Sequence, residues 1–153
     1  MDLAFSLAYV PLGQKVYEES GNITGFKITK VHPIDGTTLE LSFISDIKGF
    51  GKFPDGKGIG SGILTQYPHG VGDASFQGNI LMEEEEGGGV DQIFWWTHQK
   101  TKVDESGNSK GLGIMSFYTN SQKLSWISRL IVADDVEVDF AKQQFKIVGY
   151  EWI

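Results

Sequence analysis

The chain has no cysteine and only 4 prolines. Without thiols there is no disulfide framework, no thiolate nucleophile, no cysteine-based zinc site and no iron–sulfur cluster. Long apolar runs are missing too: none approaches the ~20 residues that a membrane helix needs. The opening stretch, Met1 to Leu12, is short for a signal peptide and carries Asp2 near its start. The expectation is a soluble, cytoplasmic protein with no membrane partner. Positive charge is also scarce, with 13 Lys and Arg against 20 Asp and Glu, a formal net charge of −7 and a sequence pI near 4.9. Phosphate backbones are held by clustered Lys and Arg, so no nucleic-acid partner is expected. Long Ala, Leu, Glu and Lys stretches with a 3.6-residue period are absent, which argues against a helical protein.

What is present points to strands and turns. Glycine contributes 20 of 153 residues and aromatics 12%. Leu39, Leu41, Phe43 and Ile47 fall on one face of an extended segment, opposite Glu40, Ser42, Asp46 and Lys48. Ala74, Phe76, Ile80 and Met82 repeat that two-residue period, with Gly78 on the apolar side. Turn residues cut the chain at short, regular intervals, as at His32-Pro33-Ile34-Asp35-Gly36, Pro54-Asp55-Gly56, Tyr67-Pro68-His69-Gly70 and Glu105-Ser106-Gly107-Asn108. The spacing predicts strands over 23–32, 37–49, 57–67, 71–82, 91–103, 110–119, 124–137 and 145–152, with another near 3–10. Asp139 to Gln144 has room for one turn of helix. No linker interrupts the pattern, so residues 1–153 read as a single all-β domain, a size that can bury an adequate core. The run Glu83 to Glu86, followed by three glycines, reads as a solvated hairpin loop.

Gly58, Gly60 and Gly62 alternate within one predicted strand and leave a stripe without side chains, which lets a strand coil sharply or lets bulky neighbours cross it. The richest segment is 91–103, where Phe94, Trp96 and His98 share one face while Ile93, Trp95 and Thr97 share the other. Apolar groups on both faces imply a strand covered twice, by the core and either a partner subunit or a packed terminus. A barrel has one inside, so the outer set predicts a homo-oligomer, most simply a dimer. Trp96 and His98 read either as a pocket wall with one polar contact or as core aromatics beside a hydrogen-bonded histidine. Arg129 either pairs with Glu137, Asp139 or Glu151 across the sheet or orients an anionic ligand. The ligand-binding expectation gathers Trp96, His98, Phe117, Trp126, Arg129 and Tyr150 around a small molecule, apolar or carboxylate-bearing, with Trp96 rather than Trp95 pointing inward. His32, His69 and His98 lie far apart and lack metal-ligand spacing, so no metal site is expected. Nucleophile elbows, phosphate loops and dinucleotide fingerprints are missing as well. No catalytic residue is assigned and no cofactor is expected.

Taken together, Gly-x-Gly-x-Gly-x-Leu (Gly58 to Leu64), Tyr67-Pro68-x-Gly70, Ala74-Ser75-Phe76-x-Gly78, an acidic glycine turn and a strand running through Trp96-Thr97-His98 resemble the allene oxide cyclase barrel-like superfamily. The likeness spans about residues 22–152 and is nearest to that fold's small prokaryotic branch of uncharacterised proteins. It implies a single eight-stranded antiparallel barrel, calycin-like or lipocalin-like, often oligomeric, with a central cavity. The superfamily includes plant cyclases acting on a fatty-acid epoxide, and dirigent proteins have a related barrel that steers radical coupling. Three functions follow as expectations: a barrel holding a small, mostly apolar molecule, a cofactor-independent isomerase or cyclase, and an oligomeric protein-interaction module.

Overall fold

The computed structural model describes residues 12–82 and 91–153. The predicted strand near 3–10 and the acidic loop at Glu83 to Glu86 lie outside these residues. Eight strands follow one another as β1 (Leu12–His32), β2 (Gly36–Gly49), β3 (Gly56–Gln66), β4 (Val71–Met82), β5 (Asp91–Val103), β6 (Ser109–Thr119), β7 (Ile131–Asp139) and β8 (Gln144–Trp152). Each pairs antiparallel with its neighbours in sequence, and β8 returns to β1, so the sheet closes into a barrel. The all-β architecture expected from the two-residue period is found, and it is the eight-stranded antiparallel barrel that the resemblance implied.

Alternation sets the inside. Leu41, Phe43 and Ile47 of β2 and Ala74, Ile80 and Met82 of β4 are buried as their spacing required. The glycine stripe does what its bareness allows: a Cβ at Gly60 would lie 2.6 Å from Phe43 Cζ, so the Phe43 ring crosses β3 where no side chain stands. Phe43 in turn stacks on Trp95, with ring centroids 5.8 Å apart, and meets Phe145 edge-on at 5.3 Å.

Three expectations need correction. First, β1 starts at Leu12 rather than near residue 23, because Tyr17 and Glu19 already turn inward and pair with β8. Second, the strand expected over 124–137 is divided: Ser125–Arg129 form a 3-10 helix before β7 begins at Ile131. The cause is the open base of the barrel, which needs a plug. Ile127, fully buried, fills it beside Phe53 from the β2–β3 connection, and Phe53 packs on Tyr17 and Phe117. Third, residues 140–143 form a tight turn with Gln143 at φ 54° rather than a turn of helix.

The opposite end differs. β1 pairs with β8 only as far as Asn22, yet continues alongside β2 to His32. The β1–β2 hairpin therefore rises past the β7–β8 turn with one edge unpaired. By register Phe26 and Ile28 share the face of Leu41 and Leu39, and both are more than half exposed. The barrel thus has a plugged base and a mouth with an apolar wall on one side.

Candidate functional site

The barrel interior holds two carboxylates. Asp134 lies in β7 between Val132 and Val136 and is 1% exposed; Glu19 of β1 is 5% exposed. Their setting is built by glycines. Tyr17, Gly149 and Asp134 stand in one row across β1, β8 and β7. A Cβ at Gly149 would come 2.6 Å from the Tyr17 ring, so only glycine lets that ring cross β8. On the other side Gln99, Gly113 and Asp134 form the matching row across β5, β6 and β7. Two long side chains thereby reach over bare strands towards one acid.

Tyr17 donates its hydroxyl to Asp134 Oδ1 at 3.2 Å, with Met115 Sδ at 3.3 Å from the same oxygen. Thr97 Oγ1 lies 2.9 Å from Asp134 Oδ2 and 3.0 Å from the Ile114 carbonyl, so its single proton serves one acceptor at a time. Burial pushes Asp134 up to about 6, against the pull of Thr97, Tyr17 and Gln99 towards the charged form. Burial, followed by the charge of Asp134, pushes Glu19 up to about 8, opposed by the nearby Ser45 hydroxyl. Around neutral pH the pair therefore keeps one proton between them. Burial, then Asp134 and Glu19, hold the Tyr17 phenol well above its ordinary range, so it stays a donor. Ser45 Oγ faces Glu19 without hydrogen-bond geometry and is the one buried side-chain oxygen among the described residues that lacks a partner.

Between the acids and the mouth lies a cavity of about 60 Å³. Ten apolar side chains line it, Trp95, Phe43, Phe76 and Met115 among them, together with Thr97 and Gln99. A pocket for a drug-sized ligand takes roughly 300 Å³ or more, so this space admits only a few heavy atoms as it stands. Leu41, which lines it, is the cross-strand partner of Phe26, so the apolar wall of the mouth continues from the cavity.

The six residues expected to share a pocket do not gather in one; only Trp126 and Arg129 share a groove, outside the base beside Phe53 and Glu151. Trp96, 47% exposed, and His98 are on the outer face of β5; Trp95, 5% exposed, takes the inward place assigned to Trp96. His98 Nδ1 hydrogen-bonds the Ser75 hydroxyl at 2.7 Å on that outer face. Phe117 is buried at the plugged base, against Phe53. Trp126 and Arg129 belong to the 3-10 helix outside that base, with Arg129 exposed. No ion pair joins Arg129 to Glu137, Asp139 or Glu151 among the described residues. Tyr150 is half-buried on the outside of β8, across from Lys15. Parity failed on β5 because both faces are apolar near Trp95. The deciding residues come later in the strand, where Lys100 and Lys102 share the face of Trp96 and put it in water. Glu19 and Asp134 went unassigned, although Val132, Asp134, Val136 and Val138 alternate in one phase.

No protein-family model and no curated protein matches the chain. Solved structures do. A protein of unknown function from Clostridium acetobutylicum ATCC 824 superposes with a TM-score of 0.76 at 14% identity, over 92% of this chain and 98% of that one. A β-barrel-like protein from Acinetobacter baumannii AYE gives 0.71 at 14% identity, over 92% and 96%. A conserved protein of unknown function from Rhodopseudomonas palustris gives 0.66 at 11% identity, over 92% and 97%. At these identities the likeness is one of fold: this chain is a β-barrel protein. No helix among the described residues is long and apolar enough to cross a membrane.

Proposed function

We propose that the barrel is a non-catalytic binder of a small, mostly apolar molecule, which enters at the mouth and places its tip in the cavity below. The observation that carries this reading is the unfilled, apolar 60 Å³ between Trp95 and Phe145 inside the barrel. The exposed inner wall at Phe26 and Ile28 supports it, because it offers apolar surface to the part of a ligand that the cavity cannot hold. Closed eight-strand order and the bare stripe on β3 likewise support kinship with the allene oxide cyclase barrel-like superfamily. An isomerase reading has less support. The acids sit behind Thr97 and Gln99, and neither is among the residues lining the cavity.

The test is methionine-methyl NMR during titration with 1-propanol and 1-hexanol. Met115 lines the cavity, whereas Met82 is buried elsewhere and serves as the internal control. Expected is a saturable shift at Met115 alone, weakened by Val138→Leu, which adds a methylene to the cavity wall. No response at Met115 up to tens of millimolar, or equal movement of Met82, refutes the proposal.

A second reading, self-association, rests on the outer wall. Phe94, Trp96, Ile114 and Tyr118 on β5 and β6, with Ile59 and Ile63 on β3, are each between 39% and 56% exposed. Half-exposed side chains of this size offer together roughly 600 Å², most of the ~800 Å² that one partner contributes to a standard interface. The expectation is a dimer at micromolar concentration in sedimentation, converted by Trp96→Glu to the 16.9 kDa monomer. A wild-type chain that sediments only as the monomer overturns it.

A further inference from the structure

The outer side of the plugged base is charged against the trend of the chain. A groove of about 400 Å³, a volume within the range of small-molecule sites, runs there between the start of β1, the β2–β3 connection and the 3-10 helix. Lys15, Lys52 and Arg129 line it against a single acid, Glu151, an excess of two positive charges on a protein of net charge −7. Lys15 is bound to Glu18 at 2.8 Å, and Lys48 Nζ lies 5.4 Å from the ring centre of Phe50 in the groove wall; counting those two neighbours leaves the excess unchanged. The larger groove around Asp104 and Glu137 has the opposite balance, four acids against three lysines. Arg129 is the only arginine in the sequence. No ion pair engages it or Lys52 among the described residues, although Glu151 stands in the same groove. Both walls are held in place. Ile127, fully buried, anchors the 3-10 helix, and the Leu130 N–H bonds the Ile127 carbonyl at 3.0 Å, which fixes the backbone on either side of Arg129. Opposite, the Phe50 N–H bonds the Val16 carbonyl at 2.9 Å and the Phe53 N–H bonds the Phe50 carbonyl at 3.1 Å, so the turn that carries Lys52 is tied to β1.

We propose that this groove is a binding site, separate from the barrel interior, for a phosphate monoester carried on an aromatic ring. Arg129 presents a planar fork of donors that matches two phosphate oxygens, and Lys52 adds a point charge from the facing wall. At pH 8 a phosphate monoester, with its second pKa near about 6, is close to a dianion and balances the local excess of two charges. A carboxylate would leave one of them unbalanced. The ring belongs to the apolar part of the groove, where Trp126, half-buried against the core, Phe50 and Leu130 stand beside Arg129 and offer flat or apolar surface. The anionic ligand expected for Arg129 thus keeps Arg129 and Trp126 and loses His98, which hydrogen-bonds Ser75 on the outer face of β5.

The experiment follows the tryptophan indole N–H signals by NMR at pH 8 and low salt, assigned with Trp95→Phe and Trp126→Phe, during titration with phenyl phosphate, inorganic phosphate, benzoate and phenol. Phenyl phosphate is expected to shift the Trp126 signal saturably, with a dissociation constant of about a millimolar for a ligand of this size, and to leave Trp95, inside the barrel, unmoved. The other three should each bind at least about fivefold more weakly, because they lack the ring, the second charge or all charge. Arg129→Gln should weaken phenyl phosphate about tenfold and Lys52→Gln about threefold; both side chains are exposed, so the fold is spared. Glu151→Gln, which removes the one acid of the groove, should tighten binding about threefold. Silence of Trp126 up to tens of millimolar, an equal response in Arg129→Gln, or phenol binding as tightly as phenyl phosphate overturns the proposal. Inorganic phosphate binding as tightly overturns it by showing that the ring makes no contact, and benzoate binding as tightly does so by showing that the second charge has no partner. A shift at Trp95 in place of Trp126 assigns the ligand to the interior and overturns this site.

Discussion

Glu19→Gln is expected to stabilise the barrel at pH 8 by an amount on the order of a few kcal/mol, and to leave its stability near pH 4.5 almost unchanged. The folded barrel raises Glu19 from its ordinary 4.5 to about 8, and Asp134 from 3.8 to about 6. Within those windows the folded chain keeps protons that the unfolded chain has released. Unfolding then releases protons, and stability falls as pH rises from about 4 to about 8, levelling off above. This is the reverse of an acid held in a salt bridge, which loses stability as pH falls. A glutamine at position 19 has the shape of the protonated acid and never ionises, so the variant escapes the upper part of the decline. Urea unfolding followed by circular dichroism, repeated from pH 4.5 to pH 9, measures the two curves. They should diverge steadily above pH 5 and run parallel above about pH 8.5. Parallel curves throughout would mean that Glu19 keeps its charge in the folded barrel.

The same pair shows where the sequence is legible and where it is not. Strands with one largely polar face could be read directly: in β2 and β4 the alternation names the inward residues because polar side chains mark most outward places, Ile44 and Leu81 excepted. The glycine stripe on β3 could be read as a place where neighbours cross, though not which ring would cross it. On β5 periodicity is silent at Ile93 to Trp96, and the phase is set only by Lys100 and Lys102 further along. Asp134 was hidden differently. A lone acid in an apolar phase looks like a register error until the rows Tyr17–Gly149–Asp134 and Gln99–Gly113–Asp134 are assembled. The first row joins Tyr17 to residues more than a hundred positions away, the second runs across three successive strands, and nothing local signals either. The 3-10 helix at Ser125–Arg129 eluded the strand pattern because its cause, an open barrel end that Ile127 must fill, exists only once all eight strands have closed.

Trp95→Ala and Trp96→Ala, neighbours in sequence with the same atoms removed, should differ more than any other adjacent pair on the barrel wall. Trp95 is buried, stacks on Phe43 and forms part of the cavity wall, so truncating it enlarges a void in a core that the closed sheet cannot collapse. A loss of about 3–5 kcal/mol is expected, which lowers the thermal midpoint of a chain this size by roughly 10 °C or more. Trp96 lies on the outer face, 47% exposed, and its truncation should cost less than about 1 kcal/mol in the monomer. Self-association would change the second number and leave the first alone, because a partner that binds only the folded chain adds stability in proportion to its concentration. Both variants are therefore compared with wild type at two protein concentrations a hundredfold apart. A Trp96→Ala deficit that appears only at the higher concentration places Trp96 in an interface. A deficit as large as that of Trp95→Ala at the lower concentration would mean that β5 turns the other face inward, and the cavity assigned to Trp95, Thr97 and Gln99 would fall with it.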